Sequence, residues 1–484
     1  MTFARRLRFR ASLLKIGVDG LAGVARDKAA AYRFALTGKA PAPLTDFDPF
    51  AAETRRDPYP GYRALLTGQS ALAASGSSVH SALRASGSSP HSALRASGSP
   101  LPDVPSVWYN RKRGIWIVAG YDDVRAALRD HEALSSAESQ ARYRVHLQSM
   151  NAADPPDHTR LRKFVSRAFT PRAMKAWQAA INEVADELVD AMIARGRTDV
   201  VTDLAKPLPN RLIAMMLGIP RQDHARFLDW SDAIVEGSFA PLTPDGMAKN
   251  ARSARATAAM RRYVDPLIKA RRGNPGDDLI SMMAASDGDD GLTDDEIFWS
   301  ACMLIGAGSE TTTNLLSGLF LTLAQQPDLY TEMREQPELI SAAVEEQLRF
   351  VSPVQGFYRT ATRDYTIGAQ TIPAGARVLL LFAAANRDPR HYENPDTFDL
   401  HRNPSDHLAF GLGIHYCLGT PLTRLEAARV FSQLIPRVEA IRHDGEYRYL
   451  DNATMRGLEH LPVELVPARS GVVGASTTVG SQSG

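Results

Sequence analysis

One short stretch, FGLGIHYCLG from Phe410 to Gly419, restricts this chain more than any other. It places Cys417 in a glycine-rich loop directly ahead of a segment, Leu418 to Ile435, whose apolar spacing predicts a helix. A sulfur held there faces backbone N–H groups and the positive end of the helix dipole, and both favour the ionised thiolate. A cysteine buried in a turn for packing alone is the competing reading of the loop taken by itself.

A second constraint comes from Thr293 to Gln325, a long apolar stretch that opens on T-D-D-E. Thr293 and Glu296 form a capping-box pattern, which predicts a helix start at that point. The middle reads IGAGSETTTN, Ile305 to Asn314, with two glycines and three consecutive threonines. Each glycine costs a helix about 1 kcal/mol relative to alanine. A buried helix that carries this cost has either a close helix crossing or a local widening where something else must fit.

The cysteine loop, the A-G-x-E-T pattern at Ala307 to Thr311 and the EEQLR segment at Glu345 to Arg349 together resemble the cytochrome P-450 superfamily, specifically its soluble bacterial members. The resemblance spans Asp46 to Val466. It implies a mainly α fold with small β-sheets, in which haem b (iron protoporphyrin IX) lies between a long central helix and a cysteine-ligand loop. Cys417 is then the proximal iron ligand, and Phe410 belongs to the haem-contacting loop. Leu412 stands where a small residue is more usual.

On the same register Ala307 and Gly308 line the oxygen pocket, Glu310 is the acid and Thr311 the hydroxyl, with Thr312 ranked second for that role. A hydroxyl can hold a water, and a carboxylate can relay protons from solvent. Four further residues are implied as partners of the haem propionates or neighbours of the ligand: His158 and Arg162 in DPPDHTRLR, Arg359 in GFYRTATRD, and His415 in the loop itself. Arginine suits carboxylates because its guanidinium can donate two parallel hydrogen bonds. Glu346 and Arg349, spaced i, i+3, are implied to form a buried structural pair. Its usual third member, an arginine, is replaced by Thr397, and Arg402 is the candidate substitute. Ile305, Val354, Gln355 and Phe357, with the loops around His146 and Phe239, are the implied substrate-pocket positions.

The remaining features agree with one large enzyme domain. The 484 residues carry a formal net charge of only +2, which gives no hint of nucleic-acid binding. Cys302 and Cys417 are the sole cysteines, so no disulfide framework exists and a cytoplasmic setting is expected. No GxGxxG fingerprint follows a strand, so nicotinamide or flavin binding is not expected. The resemblance therefore implies electrons from a separate ferredoxin and ferredoxin reductase, O2 as co-substrate, a hydrophobic small-molecule substrate and a monomeric enzyme. The rivals are a haem-binding carrier without turnover and a peroxide-driven peroxygenase.

Three segments stand outside this pattern. Residues 1–45 form a basic extension: the first forty residues hold nine Lys/Arg against two Asp, with apolar residues between them. Such a segment can lie on an anionic membrane surface or pack on the main fold. Within the catalytic domain, 46–466, the tract 74–100 repeats SGSSVHSALRA with a period of 11, and its Ser, Gly and Pro content predicts a flexible insertion despite His80 and His91. The tail 467–484 is expected to be disordered. Between these segments the apolar spacing predicts helices over 171–195, 210–217, 248–272, 293–325 and 337–350, with strands near 115–118, 365–367, 378–382 and 463–466.

Overall fold

The capping box at Thr293 starts the element around which the others are arranged. Thr293 Oγ1 accepts from the Glu296 N–H at 3.2 Å, and the Thr293 N–H donates to Glu296 Oε2 at 2.8 Å. From there the central helix Asp294–Gln325 runs 32 residues. It is buried along much of its length, and this burial offsets the poor helix propensity of its middle. The computed structural model describes residues 43–68, 104–142, 144–146, 148–238, 244–285 and 291–468, together with residues 22, 23, 25, 26 and 29. The repeated tract 74–100 with its two histidines, nearly all of the basic extension, Phe239 and the tail beyond residue 468 lie outside the described residues.

The main hydrophobic core lies between the central helix and its neighbours Pro171–Arg195, Pro207–Met216, Ile340–Val351 and Thr420–Leu434. Pro171–Arg195 and Thr420–Leu434 lie side by side, tied by an ion pair between Arg429 and Asp186. A second apolar cluster covers a five-stranded sheet. Its order is Val107–Asn110, Ile115–Val118, Arg377–Leu380, Phe357–Ala361, Leu134–Ser135. Ile115–Val118 pairs in parallel with Arg377–Leu380, Trp116 opposite Val378, whereas the other pairs are antiparallel. This is the expected helix-rich arrangement with small sheets.

Several predicted spans agree closely with the observed ones, among them Pro171–Arg195, Ile115–Val118 and Tyr365–Ile367. The helix expected over 337–350 is split into a 3-10 turn, Pro337–Leu339, and the helix Ile340–Val351. The helix His224–Ser238, absent from the sequence expectations, crosses the middle of the central helix: a Cβ on Gly306 would lie 3.6 Å from Val235. Among the described residues no helix is long and apolar enough to cross a membrane.

Candidate active site

The cysteine loop is shaped by its glycines. Gly411 and Gly413 have φ of +66° and +70°, the left-handed region that side chains disfavour. At Gly413 an added Cβ would sit 2.6 Å from the Leu128 carbonyl, so the loop can lie against the helix Tyr121–Arg129 only with glycine there. The Cys417 N–H donates to the Phe410 carbonyl at 3.0 Å and closes the loop. Leu412 packs against the sheet-side cluster.

The next helix starts at Thr420, and the backbone N–H groups of Gly419 and Thr420 face the Cys417 sulfur. The expected depression of the thiol pKa is nevertheless not realised by the protein alone. Burial pushes the Cys417 thiol up, against the pull of those N–H groups, the Thr420 side chain and Arg162. The dipole is weak beside desolvation, and a coordinated cation is what deprotonates such a thiol.

Above the loop, the central helix turns one face toward open space. Ala307 is exposed in the middle of the helix, and Met303, Gly306, Gly308, Glu310 and Thr311 are half-buried beside it. Residues 303, 307 and 311 are spaced by four, so they share a stripe. Thr311 Oγ1 donates to the Ala307 carbonyl, four residues back, at 2.7 Å. Thr312 faces the other way: it is buried, and its hydroxyl meets that of Thr423 at 3.3 Å. The register that gives Thr311 the open face is therefore the one adopted. Burial raises the Glu310 carboxyl above its usual range, with Lys206 pulling down and Asp232 pushing up.

The four implied propionate partners come together. His158 and Arg162 lie one turn apart on the helix Asp157–Val165, Arg359 is on the strand Phe357–Ala361, and His415 ends a 3-10 turn in the cysteine loop. The His158 and His415 rings meet edge to face with centroids 4.5 Å apart. Arg162 donates to the Tyr416 carbonyl, which ties its helix to the loop. Burial lowers His158 to about 4 and His415 to about 2, with help from the like charges of Arg162 and Arg359 respectively. Burial also lowers the Arg359 guanidinium to about 10. His131, for which the sequence offered no signal, faces both histidines. The carboxylate facing this group, Asp154, is engaged by the Ser136 N–H at 3.0 Å and by the Ser135 hydroxyl.

Both ring nitrogens of His158 and Nε2 of His415 are buried without a hydrogen-bond partner. A cluster of one charge sign with orphaned nitrogens fits a ligand that brings carboxylates. Haem b, with two propionates, meets that requirement, and Cys417, in the same loop as His415, would supply a thiolate ligand to its iron. His158, Arg162, Arg359 and His415 would hold the propionates. The group would supply the metal at which dioxygen is activated.

Behind the loop, Glu346 and Arg349 are fully buried and paired through two hydrogen bonds of 2.7 Å. Arg402 is the third member, with Nε 3.2 Å from Glu346 Oε1, so the substitute proposed from the sequence occupies that place. The Thr397 carbonyl accepts from Arg349 at 3.1 Å and from Arg402 at 3.3 Å. The backbone of Thr397 thus joins the network that its side chain cannot.

The implied pocket residues separate into two groups. Phe357 is half-buried, edge to face with Phe382 at 5.8 Å. Ile305, by contrast, is 1% exposed and belongs to the main core, because it shares the buried stripe with Ser309 and Thr312. Gln355 is turned into the fold: its Oε1 accepts from the Tyr62 hydroxyl at 2.6 Å and its amide donates to the Val351 and Ser352 carbonyls. Val354 is buried in the sheet-side cluster and bridges to Met455. His146 is exposed, with Nδ1 3.0 Å from the Ala137 carbonyl.

The family model for cytochrome P450 matches residues 82–448. The chain is 37% identical over 427 residues to a beta-dihydromenaquinone-9 omega-hydroxylase of Mycobacterium tuberculosis, covering 88% of this chain and 79% of that protein. It is 38% identical over 367 residues to the cytochrome P450 monooxygenase PikC of Streptomyces venezuelae, covering 72% and 85%. Among solved structures, cytochrome P450 CYP109Q5 of Chondromyces apiculatus superposes with a TM-score of 0.71 at 30% identity, over 87% of this chain and 99% of that one. CYP109E1 of Bacillus megaterium, solved with testosterone, gives a TM-score of 0.68 at 32% identity, over 78% and 98%. The chain belongs to the cytochrome P450 family. It is a haem-binding cytochrome P450 monooxygenase.

Proposed function

We propose that this monooxygenase hydroxylates a long, apolar, isoprenoid-type molecule with electrons delivered by a ferredoxin and its reductase. The observation that carries the substrate class is the extent of similarity to the dihydromenaquinone hydroxylase, which covers 88% of the chain. The exposed Ala307 on the central helix and the half-buried Phe357 are apolar surface that such a substrate can meet.

The chain's own residues have separate tasks. Cys417 would supply a thiolate ligand to the haem iron, and the His158, Arg162, Arg359 and His415 group would hold the propionates and so orient the cofactor. Thr311, whose hydroxyl hydrogen is engaged by the Ala307 carbonyl, presents an oxygen on the open face that can accept a hydrogen bond from a water. Burial raises the Glu310 carboxyl above its usual range, which favours its acid form as the group that passes a proton toward that hydroxyl. This acid–alcohol pair favours dioxygen with external electrons over a peroxide-driven reaction or a carrier without turnover.

The surface beside the cysteine loop suits an acidic ferredoxin. Lys163, on the helix that Arg162 ties to the loop, and Arg167, on the 3-10 turn Ser166–Phe169 that follows it, are exposed, and the loop side adds the exposed Tyr416 and the partly exposed Arg424. Opposite charge across such a face mainly raises the association rate.

The test is a spectral screen for the low- to high-spin shift with an isoprenoid quinone, a steroid and a fatty acid, followed by product analysis with ferredoxin, reductase and NADPH. A shift and a hydroxylated product with the quinone are expected. A shift with the steroid alone would sink the substrate class. Product formed from peroxide but never from NADPH would sink the electron route.

A further inference from the structure

The helix Pro244–Gly273 packs on His224–Ser238, the helix that crosses the middle of the central helix, and its other side meets water. Gly237 allows a close approach between the two, since an added Cβ would collide with Ser253. Further along, Arg261 bonds to Asp295 and Met260 touches Cys302 with the sulfurs 3.8 Å apart, so the helix also rests on the central one.

From residue 246 to 273 the sequence holds eight Lys/Arg and a single acid, Asp265, which is buried against Arg261. Most of these cations are answered. Lys249 and Arg252 share Glu236, Arg261 holds Asp265 and Asp295, Arg271 holds Asp278, and Arg272 holds Asp294. Arg255, Arg262 and Lys269 are exposed, and no ion pair among the described residues holds them. These three recur every seven residues. Seven residues make nearly two helical turns, so they stand on one face about 10 Å apart. Ala251, Ala259 and Pro266 fall on the same face and add neither negative charge nor bulk that would keep a flat surface away.

A straight row of one sign, about 20 Å long, complements a partner that is flat and negative over that length. An anionic lipid leaflet is such a partner. The isoprenoid-type substrate favours it over an acidic protein, because a molecule of that kind dissolves in the bilayer and not in water. Met247, near the start of the helix, is 66% exposed and can enter the interface once the cations are docked.

We propose that the face carrying Arg255, Arg262 and Lys269 docks this enzyme on an anionic lipid bilayer. The proposal rests on the isoprenoid substrate class proposed above, and it places the membrane contact on the catalytic domain. Docking there brings the helix pair that overlies Gly306 against the leaflet in which the substrate is dissolved.

The test is sedimentation of the full-length holoprotein with phosphatidylcholine vesicles, with and without phosphatidylglycerol, at two salt concentrations. Wild type should bind the anionic vesicles, and salt should weaken that binding. Each cation beside a charged leaflet contributes about fivefold, so the triple variant Arg255→Gln, Arg262→Gln, Lys269→Gln should bind about a hundredfold more weakly. Lys163→Gln, Arg167→Gln should bind as wild type does. Unchanged binding in the triple variant, or equal binding to neutral vesicles, overturns the proposal and leaves the row to an acidic protein. This readout contains no substrate. Vesicle binding lost in the triple variant, with no product from vesicle-borne isoprenoid quinone in wild type, would sink the substrate class and keep the docking face. With both intact, the triple variant should raise the apparent KM for vesicle-borne quinone severalfold and leave that for quinone in neutral detergent micelles unchanged.

Discussion

At the scale of single residues, neighbours with the same side chain do different things. Thr311 and Thr312 are indistinguishable by composition, yet one turns to the open face and the other to Thr423. Thr311→Ala should raise peroxide release per NADPH severalfold with little change in melting temperature. Thr312→Ala should lose about 1 kcal/mol from a buried hydrogen bond and leave coupling intact. Peroxide assay beside thermal melting separates the two. His158 offers a second prediction. Its pKa falls from an ordinary 6.5 to about 4 because it is buried among like charges. A depressed folded-state pKa means that the unfolded chain binds more protons, so the associated stability is present above pH 6.5 and is lost as pH falls through about 4. Protein stripped of haem should lose denaturant resistance across that window. Haem-loaded protein should lose less, since propionates would offset the charge His158 acquires.

At the scale of elements, the network behind the cysteine loop ties Ile340–Val351 to the segment 386–402. Arg349 donates to the Asn386 and Pro395 carbonyls, each at 2.9 Å, as well as to Glu346. Removing one partner of so buried a pair leaves an uncompensated charge, which typically costs about 3–5 kcal/mol. Arg349→Leu should therefore fold poorly and retain little haem, whereas Arg402→Leu, at the edge of the network, should lose clearly less; the absorbance ratio of haem to protein together with urea midpoints checks both. Gly413→Ala should cost about 1–3 kcal/mol, because alanine must adopt φ near +70° and its Cβ meets the Leu128 carbonyl.

What was legible at this scale followed from local chemistry. The capping box announces the central helix, the glycines announce the loop, and FDLHR offers Arg402. What was illegible depended on helix phase and on partners distant in sequence. Ile305 precedes the A-G-x-E-T pattern but falls on the buried stripe. Gln355 is claimed by Tyr62, 293 residues away, a pairing no local pattern carries. His224–Ser238 had apolar residues at Phe227, Trp230 and Ile234, a helical spacing that could have revealed it.

For the whole molecule, a net charge of +2 conceals an uneven surface. Lys163, on the helix that also carries Arg162, and Arg167, on the 3-10 turn Ser166–Phe169 after it, both lie over the Phe164 ring. The Glu345 carboxylate, which holds Arg424 through hydrogen bonds of 2.6 and 2.7 Å, leaves that arginine partly exposed beside Tyr416. An acidic ferredoxin arriving here would meet Lys163 and Arg167, which are not among the four residues of the proposed haem cradle, so their removal should weaken docking and leave the cofactor alone. Exposed charges act through a field that salt screens with a length of about 10 Å at 0.1 M. The double variant Lys163→Glu, Arg167→Glu should therefore slow ferredoxin-driven reduction at least tenfold at low ionic strength, and the gap from wild type should narrow as salt rises. Reduction by dithionite, which needs no docking face, should proceed equally in both proteins. Stopped-flow reduction at several salt concentrations reads all three expectations. Equal ferredoxin-driven rates at low salt would place the docking face elsewhere on the molecule, whereas slowing with dithionite as well would mean that the substitutions had disturbed the haem site through the neighbouring Arg162.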